Sequence, residues 1–390
     1  MTTTHARAYV GDLLSLPPHA GYRTFSTEHF RIIYPGANEA EAKLSARFFE
    51  EAHAALSKEF NYSPDHKMTA VLADNEDSAN GVTSAIGLQG IVLFLTSPDP
   101  YSTIGEYEHW LKNLIIHEYT HYLTLEQTRG LYKFARYVFG NVLFPNQLFW
   151  PTWLSEGMAV YAESAFTAAG RGHGTYYTTI TRNAVARDTI DTWLEYSTLS
   201  GPVPDYPFGE SHYYAGYAMM DEMIRKHGPK IVGRYAEASS WRFPYLLDGA
   251  LENLTDEEAS ERSFAQLWRG WKSHEAERLR PETDWISKHG IEPEILTKER
   301  ENAVGARLSP DGKRIAYILQ SGHERSAIYT LEITTGNTTK IDEAVAGGQV
   351  SWSNDGGTLY YSKSDFRSPY RIGSELYAHK SSGGGCATKL

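Results

Sequence analysis

From Thr103 to about Gln127, the residues Trp110, Leu111, Leu114, Ile115, Tyr119, Tyr122 and Leu123 recur at helical spacing and cover much of the helix circumference. A helix apolar on so many sides has little surface left for water, so the spacing predicts a helix buried among other elements. Within it stands His117-Glu118-Tyr119-Thr120-His121. Positions four apart share a helix face about 6 Å apart along the axis, so both imidazoles can turn to one ion. Glu118 points roughly 100° away, where it can reach a water beside that ion without ligating the ion. An H-E-x-x-H pattern needs a helix, and here it has one. Two buried histidines satisfied by hydrogen bonds are the plainer alternative.

The chain has a single cysteine, Cys386, so any metal must be held by histidine and carboxylate. Residues 127–155 contain no Asp, Glu or His, which leaves a thermolysin-like spacing of the third ligand empty. The metzincin continuation is also absent, because positions 124 and 127 are Thr and Gln. The next carboxylate is Glu156, in Trp153-Leu154-Ser155-Glu156-Gly157-Met158-Ala159-Val160-Tyr161, a stretch with helical apolar spacing whose Gly157 and Ala159 allow two helices to approach closely. An ordinary helix-start carboxylate is the other reading of Glu156. Glu126 lies too near His121 to swing round, and Glu163, two turns after Glu156, suits a partner that orients a ligand histidine. His117, His121 and Glu156 with a water make an open four-coordinate site, for which one Zn²⁺ is the expected cofactor.

Around that site the sequence reads as α+β. Phe25–Tyr34 predicts a strand ended by Pro35-Gly36, and Asn38–Phe60 a helix; Lys67–Leu72 and Gly90–Thr96 predict strands. A helix over about Pro151–Phe166 and others over 176–199, 212–227, 229–240 and 258–279 make the middle mostly helical. Past about residue 295 the texture changes: Ser309-Pro310-Asp311-Gly312 and Ser353-Asn354-Asp355-Gly356 open two strand–turn–strand units 44 residues apart. That period indicates propeller blades. The expected division is residues 1–294, a catalytic unit, and 295–390, an incomplete β-propeller region of two blades. A closed propeller needs roughly four to eight blades, so a truncated or reduced relative is expected.

Basic residues number 37 against 48 acidic, a net charge of −11, which argues against a nucleic-acid partner. The longest aliphatic and aromatic run, Ile91–Leu95, is far shorter than the roughly 20 residues of a membrane span. Asp12 interrupts the only candidate for an export-signal core, so no such signal is visible.

His117-Glu118-x-x-His121 followed by Trp153-x-x-Glu156-Gly157-x-Ala159-x-Tyr161 resembles the gluzincin clan of metallopeptidases, in particular bacterial peptidase-MA-like domains joined to a propeller. The Phe25–Pro35 segment, the Asn80-Gly81 loop before Ile91–Leu95, and Tyr132–Pro145 share the resemblance, which spans most of residues 22–240. The two Asp-Gly repeats resemble TolB-like blades. The resemblance implies a zinc peptidase acting on a peptide or protein, and a bacterial envelope or periplasmic setting; a cytoplasmic one follows if Met1 is the native start. It further implies that Gly90–Thr96 offers an edge to an extended substrate. A Tyr-x-x-Gly context implies Tyr213 as the oxyanion donor, with Tyr214, Tyr217 and His212 as alternatives. Amino- versus endopeptidase action and oligomeric state stay open.

The expected mechanism has Glu118 as general base toward the activated water and as proton donor to the leaving amine. A binding or scaffold protein with a structural or inactive zinc site is the alternative. The aromatic stretch Phe134–Trp153 is expected as a buried connection rather than an exposed lip. Gly170-Arg171-Gly172-His173-Gly174 lacks a phosphate-loop ending and is expected as a flexible, substrate-facing loop.

Overall fold

The computed structural model describes residues 16–390 except 18, 85–88, 100, 141–148, 202–203, 205, 208, 243–245, 255–262, 292, 298–301, 369–370 and 382–386. Cys386 and part of the 134–153 stretch lie outside the described residues. The architecture is mixed helix and sheet, as the sequence indicates.

A five-stranded sheet comes first: β1 (Tyr22–Ser26), β2 (Phe30–Pro35), β3 (Met68–Ala73), β4 (Gly81–Ser84) and β5 (Gly90–Phe94), in the order β1-β2-β3-β5-β4. The single strand expected over Phe25–Tyr34 is two, because Thr27 turns the chain: its backbone N–H donates to Phe30 O at 2.9 Å and its Oγ1 accepts from Phe30 N at 3.2 Å. Strands β2, β3 and β5 run parallel, and β1 and β4 flank them antiparallel. Gly90–Phe94 is therefore paired on both sides, which corrects the expectation that it offers a free edge. The outer strands are β1 and β4, and β4 is the one beside it. Helix α1 (Glu39–Glu59) covers one face of the sheet, with the Phe49 ring packed at a tilt 4.9 Å from that of Phe30.

Helix α2 (Trp110–Glu126) begins seven residues later than the apolar spacing predicts. Before it, Gly105 N–H donates to Ser102 O at 2.9 Å and closes a local turn in place of a helical one. Every residue of α2 except Lys112, His121 and Leu125 is buried. Helix α3 (Gly130–Phe139) buries none of its residues, and Leu131 and Tyr137 are 80% and 88% exposed. The aromatic stretch is thus split: residues 134–139 lie on an exposed amphipathic helix, held to Glu126 through Arg136 with its apolar side outward, whereas Trp150 and Trp153 are buried in the core as expected.

Helices α4 (Thr152–Phe166), α5 (Thr175–Ala186), α6 (Ser211–His227), α7 (Ile231–Ser239), α8 (Leu247–Glu252) and α9 (Phe264–His289) complete the helical half. The helix expected over 176–199 stops at Ala186 because Asp188 and Leu194 take left-handed φ of 55° and 49°. Helix α9 runs ten residues past the expected end at 279, opened by a capping box of Ser263 and Gln266 and continuing through Pro281. Helices α4 and α6 touch at backbone level: a Cβ on Gly216 would sit 2.0 Å from Trp153 O, and one on Gly157 would sit 2.4 Å from the Gly216 carbonyl carbon. Two glycines are what let these helices meet so closely.

Residues 302–344 form an antiparallel sheet of β6 (Asn302–Leu308), β7 (Arg314–Gln320), β8 (Ser326–Glu332) and β9 (Thr338–Ala344). A second comprises β10 (Ala346–Trp352), β11 (Thr358–Ser368), β12 (Arg371–Lys380) and β13 (Thr388–Lys389). The 44-residue repeat is structural: Ser309 Oγ donates to Asp311 and accepts from Arg314 N, as Ser353 Oγ does with Asp355 and Thr358 N, and Gly312 and Gly356 both have φ near 70°. Ala316, Ile318 and Ile328 of one sheet share a core with Val350, Leu359 and Tyr361 of the other. Among the described residues these sheets do not close into a propeller. Ile372 N donates to Glu76 Oε2 at 2.8 Å and Ser374 N to Asp77 Oδ2 at 2.7 Å, fastening β12 to the loop before β4. No described helix is long and apolar enough to cross a membrane.

Candidate metal centre

Helical periodicity places His117 and His121 on one face of α2, and the Gly157–Gly216 contact seats α4 so that Glu156 meets them. His117 Nε2 and His121 Nε2 lie 3.2 Å apart, and Glu156 Oε2 is 3.3 Å from the first and 3.2 Å from the second. These three residues could hold a metal ion. Edges of this length belong to a tetrahedron whose centre is about 2.0 Å from each corner, the reach of zinc to imidazole nitrogen or carboxylate oxygen. Glu156 Oε2 is also buried without a hydrogen bond, an unmet acceptor aimed at the point where the imidazoles converge. The residues present therefore fit a tetrahedral zinc ion.

The electrostatics favour positive charge there. Burial opposes ionisation of His117, but Glu156 and Glu163 outweigh it and raise its pKa to about 9. Burial would also raise Glu156, yet the charges of His121 and His117 beside it hold it well below the usual carboxylate range. Behind His117, Glu163 is 1% exposed and lies 3.2 Å from Nδ1. In the neutral imidazole that a metal requires, Nδ1 donates to Glu163, beside an Arg171 terminal nitrogen 3.0 Å from the same atom, and the Nε2 lone pair faces Glu156. Glu163 also accepts from Asn113 Nδ2 and from Arg171 N, Nε and a terminal nitrogen, at 2.8–3.3 Å. Burial pushes Glu163 up, but Arg171 and His117 bring it down to about 2. His121 Nδ1 has Ser155 Oγ at 3.2 Å.

Glu118 is buried against β4, its Oε2 accepting from Thr83 Oγ1 at 2.6 Å. A Cβ on Gly81 would stand 2.6 Å from the Glu118 Cγ, so glycine leaves the room this carboxylate occupies. Tyr213 reaches the same place from α6: its ring centroid is 6.4 Å from that of His117, and the Arg171 guanidinium carbon lies 4.4 Å above it. Of the four oxyanion candidates, Tyr213 lines the cavity. Tyr214 turns into the core, 2.8 Å from Thr181 Oγ1; Tyr217 packs beside Gly172, and His212 is buried.

All these groups open onto one cavity of about 1370 Å³, whose opposite wall is β10–β12, with Gln349, Ser351, Ser362 and Lys363 facing in. The Gly170–Gly174 segment is packed rather than a loose loop. Arg171 is 9% exposed and anchored on Glu163, and a Cβ on Gly172 would be 2.2 Å from the Tyr217 ring. Sequence reasoning missed Thr83 and Glu210 as cavity residues. Arg171, expected in a substrate-facing loop, does line the cavity, though from a packed segment, and Glu163 was signalled by its two-turn spacing from Glu156.

No family model matches the chain. It is similar to an uncharacterized protein of Treponema pallidum, 25% identical over 228 residues that cover 57% of this chain and 19% of the other. The chain thus spans about a fifth of that relative's length. Among solved structures it is similar to an M1 zinc metallopeptidase from Deinococcus radiodurans, at 17% identity over 64% of this chain and 51% of that one, with a TM-score of 0.35. It is also similar to Legionella pneumophila aminopeptidase A, at 13% identity over 77% and 30%, with a TM-score of 0.31. A further partial likeness is to TolB from Acinetobacter baumannii, at 24% identity over 26% and 24%, with a TM-score of 0.22.

Proposed function

We propose that the chain is a zinc metallopeptidase of gluzincin type that hydrolyses a peptide bond in a peptide or protein substrate. The observation that carries the reading is the convergence of His117, His121 and the unmet Glu156 oxygen beside a cavity that also contains Glu118. His117, His121 and Glu156 hold the zinc ion, which when bound supplies a Lewis acid that acidifies water and polarises a carbonyl. Glu118 takes the proton from the attacking water and passes it to the leaving amine. Thr83 donates its hydroxyl to Oε2 and so leaves Oε1 for that proton. Tyr213 donates to the oxyanion as the carbonyl becomes tetrahedral. Glu163, held by Arg171, keeps the His117 tautomer with its free Nε2 toward the cavity.

Residues 1–294 form the catalytic unit in this reading, and the two sheets of 295–390 are propeller-type blades that wall the cavity. The outer strand β4 is the edge available to an extended substrate.

Zinc content and hydrolysis of casein or a quenched peptide library, with a chelator control, test the proposal together. Glu118→Gln should keep zinc and lose at least about a hundredfold in kcat, the scale of general-base catalysis. Glu156→Ala should lose most of the zinc. Hydrolysis at the normal rate by Glu118→Gln would sink the mechanism. Zinc retained by every variant, with no hydrolysis by the unmodified chain, would favour a structural zinc site.

A further inference from the structure

Among the described residues, two carboxylate oxygens in the cavity wall are buried without a hydrogen bond: Glu156 Oε2, which the metal ligand set explains, and Glu210 Oε2, which that set leaves unexplained. Glu210 is 3% exposed and is the residue that leads into α6, three positions before Tyr213, and both line the cavity. Its other oxygen is fixed by Thr103 Oγ1, which donates at 3.0 Å and aims the carboxylate.

The cations that share the cavity are engaged elsewhere. Arg171 is bound to Glu163, and Lys363 lies 2.9 Å from Asp342 Oδ1. The remaining charge on the cavity wall is acidic, from Asp99, Glu118 and Glu156 among others. Burial raises the Glu210 carboxyl above its usual range while Arg171 pulls it down, and among the described residues no cation forms an ion pair with it. A buried acceptor of this kind needs a donor brought to it, and a charged one repays the desolvation best.

We infer that Glu210 is a recognition carboxylate whose Oε2 accepts a hydrogen bond from an ammonium or guanidinium group of the bound peptide, making the cavity selective for cationic substrates. The inference rests on the reading of the cavity as a peptide site. A Lys or Arg side chain and a free amino terminus share this chemistry. Glu210 touches substrate without taking part in bond cleavage, so its removal acts on binding and on KM before kcat.

Fluorescence polarisation on the zinc-loaded Glu118→Gln protein tests it without turnover. Labelled peptides are compared in pairs, Lys against norleucine and Arg against citrulline, each with a free and an acetylated amino terminus. The Lys or Arg peptide should bind about tenfold or more tightly than its neutral mate. Adding Glu210→Gln should bring that ratio down to about one. A preference that follows acetylation instead of the side chain identifies the amino terminus as the cation. Should Glu210→Gln fail to fold, Thr103→Val, which frees the oxygen that aims the carboxylate, should lower the same ratio. Equal binding of charged and neutral peptides, or a preference that survives Glu210→Gln, overturns the inference and leaves the peptidase reading standing. No binding of any peptide strikes the peptidase reading itself.

Discussion

The cavity has two walls of different construction. On one side, α2, α4 and α6 close around an apolar core that includes Trp153, Met158, Tyr214 and Met219, and their functional atoms are fixed by buried partners. On the other, β10–β12 present serines, Gln349 and Lys363, and Glu76 and Asp77 of the loop before β4 tie to β12 through polar contacts. The difference follows from what each wall must do. Ligand atoms need positions set to a few tenths of an ångström, which dense packing supplies. In the proposed peptidase, a surface that meets varied peptides needs donors and acceptors, and local opening there costs the core little.

The strongest test of the helical wall is Arg171→Met, which leaves Glu163 buried beside His117 without its main counter-charge. Breaking a buried pair from one side costs about 3–5 kcal/mol, and denaturant unfolding should show a loss of that size. Zinc affinity should fall about 10–100-fold, because Glu163 no longer holds His117 in one orientation. The pH dependence has a definite sign. A carboxyl lowered from its ordinary value to about 2 stabilises the fold fully above that ordinary value, and the contribution fades as pH falls toward 2. In the Arg171→Met protein that acid-side loss should shrink, because its onset is set by the ordinary carboxyl value, which the substitution leaves alone, while the folded-state value no longer lies as far below it. A loss under 1 kcal/mol would place the ion pair outside the fold's support.

Gly216→Ala tests the same wall through packing alone. The new methyl would meet Trp153 O at 2.0 Å and the Gly157 Cα at 2.7 Å, both backbone atoms that cannot rotate away. Separating α4 from α6 should cost about 1–3 kcal/mol or more and draw Tyr213 and Glu156 apart. Thermal unfolding reports the first effect and zinc titration the second. An unchanged zinc affinity in a destabilised protein would mean that Glu156 is positioned by something other than this contact.

How much of this was legible depended on distance along the chain. His117 and His121 are one turn apart, so local periodicity sufficed to put them together. Glu156 stood out because residues 127–155 offered no competitor. Thr83 reaches Glu118 across 35 residues and Thr103 reaches Glu210 across 107, and no local pattern encodes such contacts. Strand order was likewise hidden, although the unbroken apolar run at Ile91–Leu95 carries the mark of a strand covered on both faces and paired on both sides. The edge strand β4, Gly-Val-Thr-Ser, is short and half polar, as an exposed edge tends to be. Helix α3 misled for a different reason: an apolar stripe shows which residues share a side, but not whether anything covers them.

The sheet wall invites the gentlest substitution, Asp77→Ala. Asp77 Oδ2 accepts from Ser374 N and lies 3.6 Å from an Arg367 nitrogen, with its side chain 44% exposed. Half-exposed polar contacts of this kind contribute about 1 kcal/mol or less, and the bond from Asp77 N–H to Ile372 O survives the change. Global unfolding should therefore move by less than about 1 kcal/mol. Amide exchange at Ser374 should rise, since its N–H loses its acceptor and water reaches it when β12 lifts. Global destabilisation as large as that of Arg171→Met would erase the contrast between the walls and make the second sheet an integral part of the catalytic core.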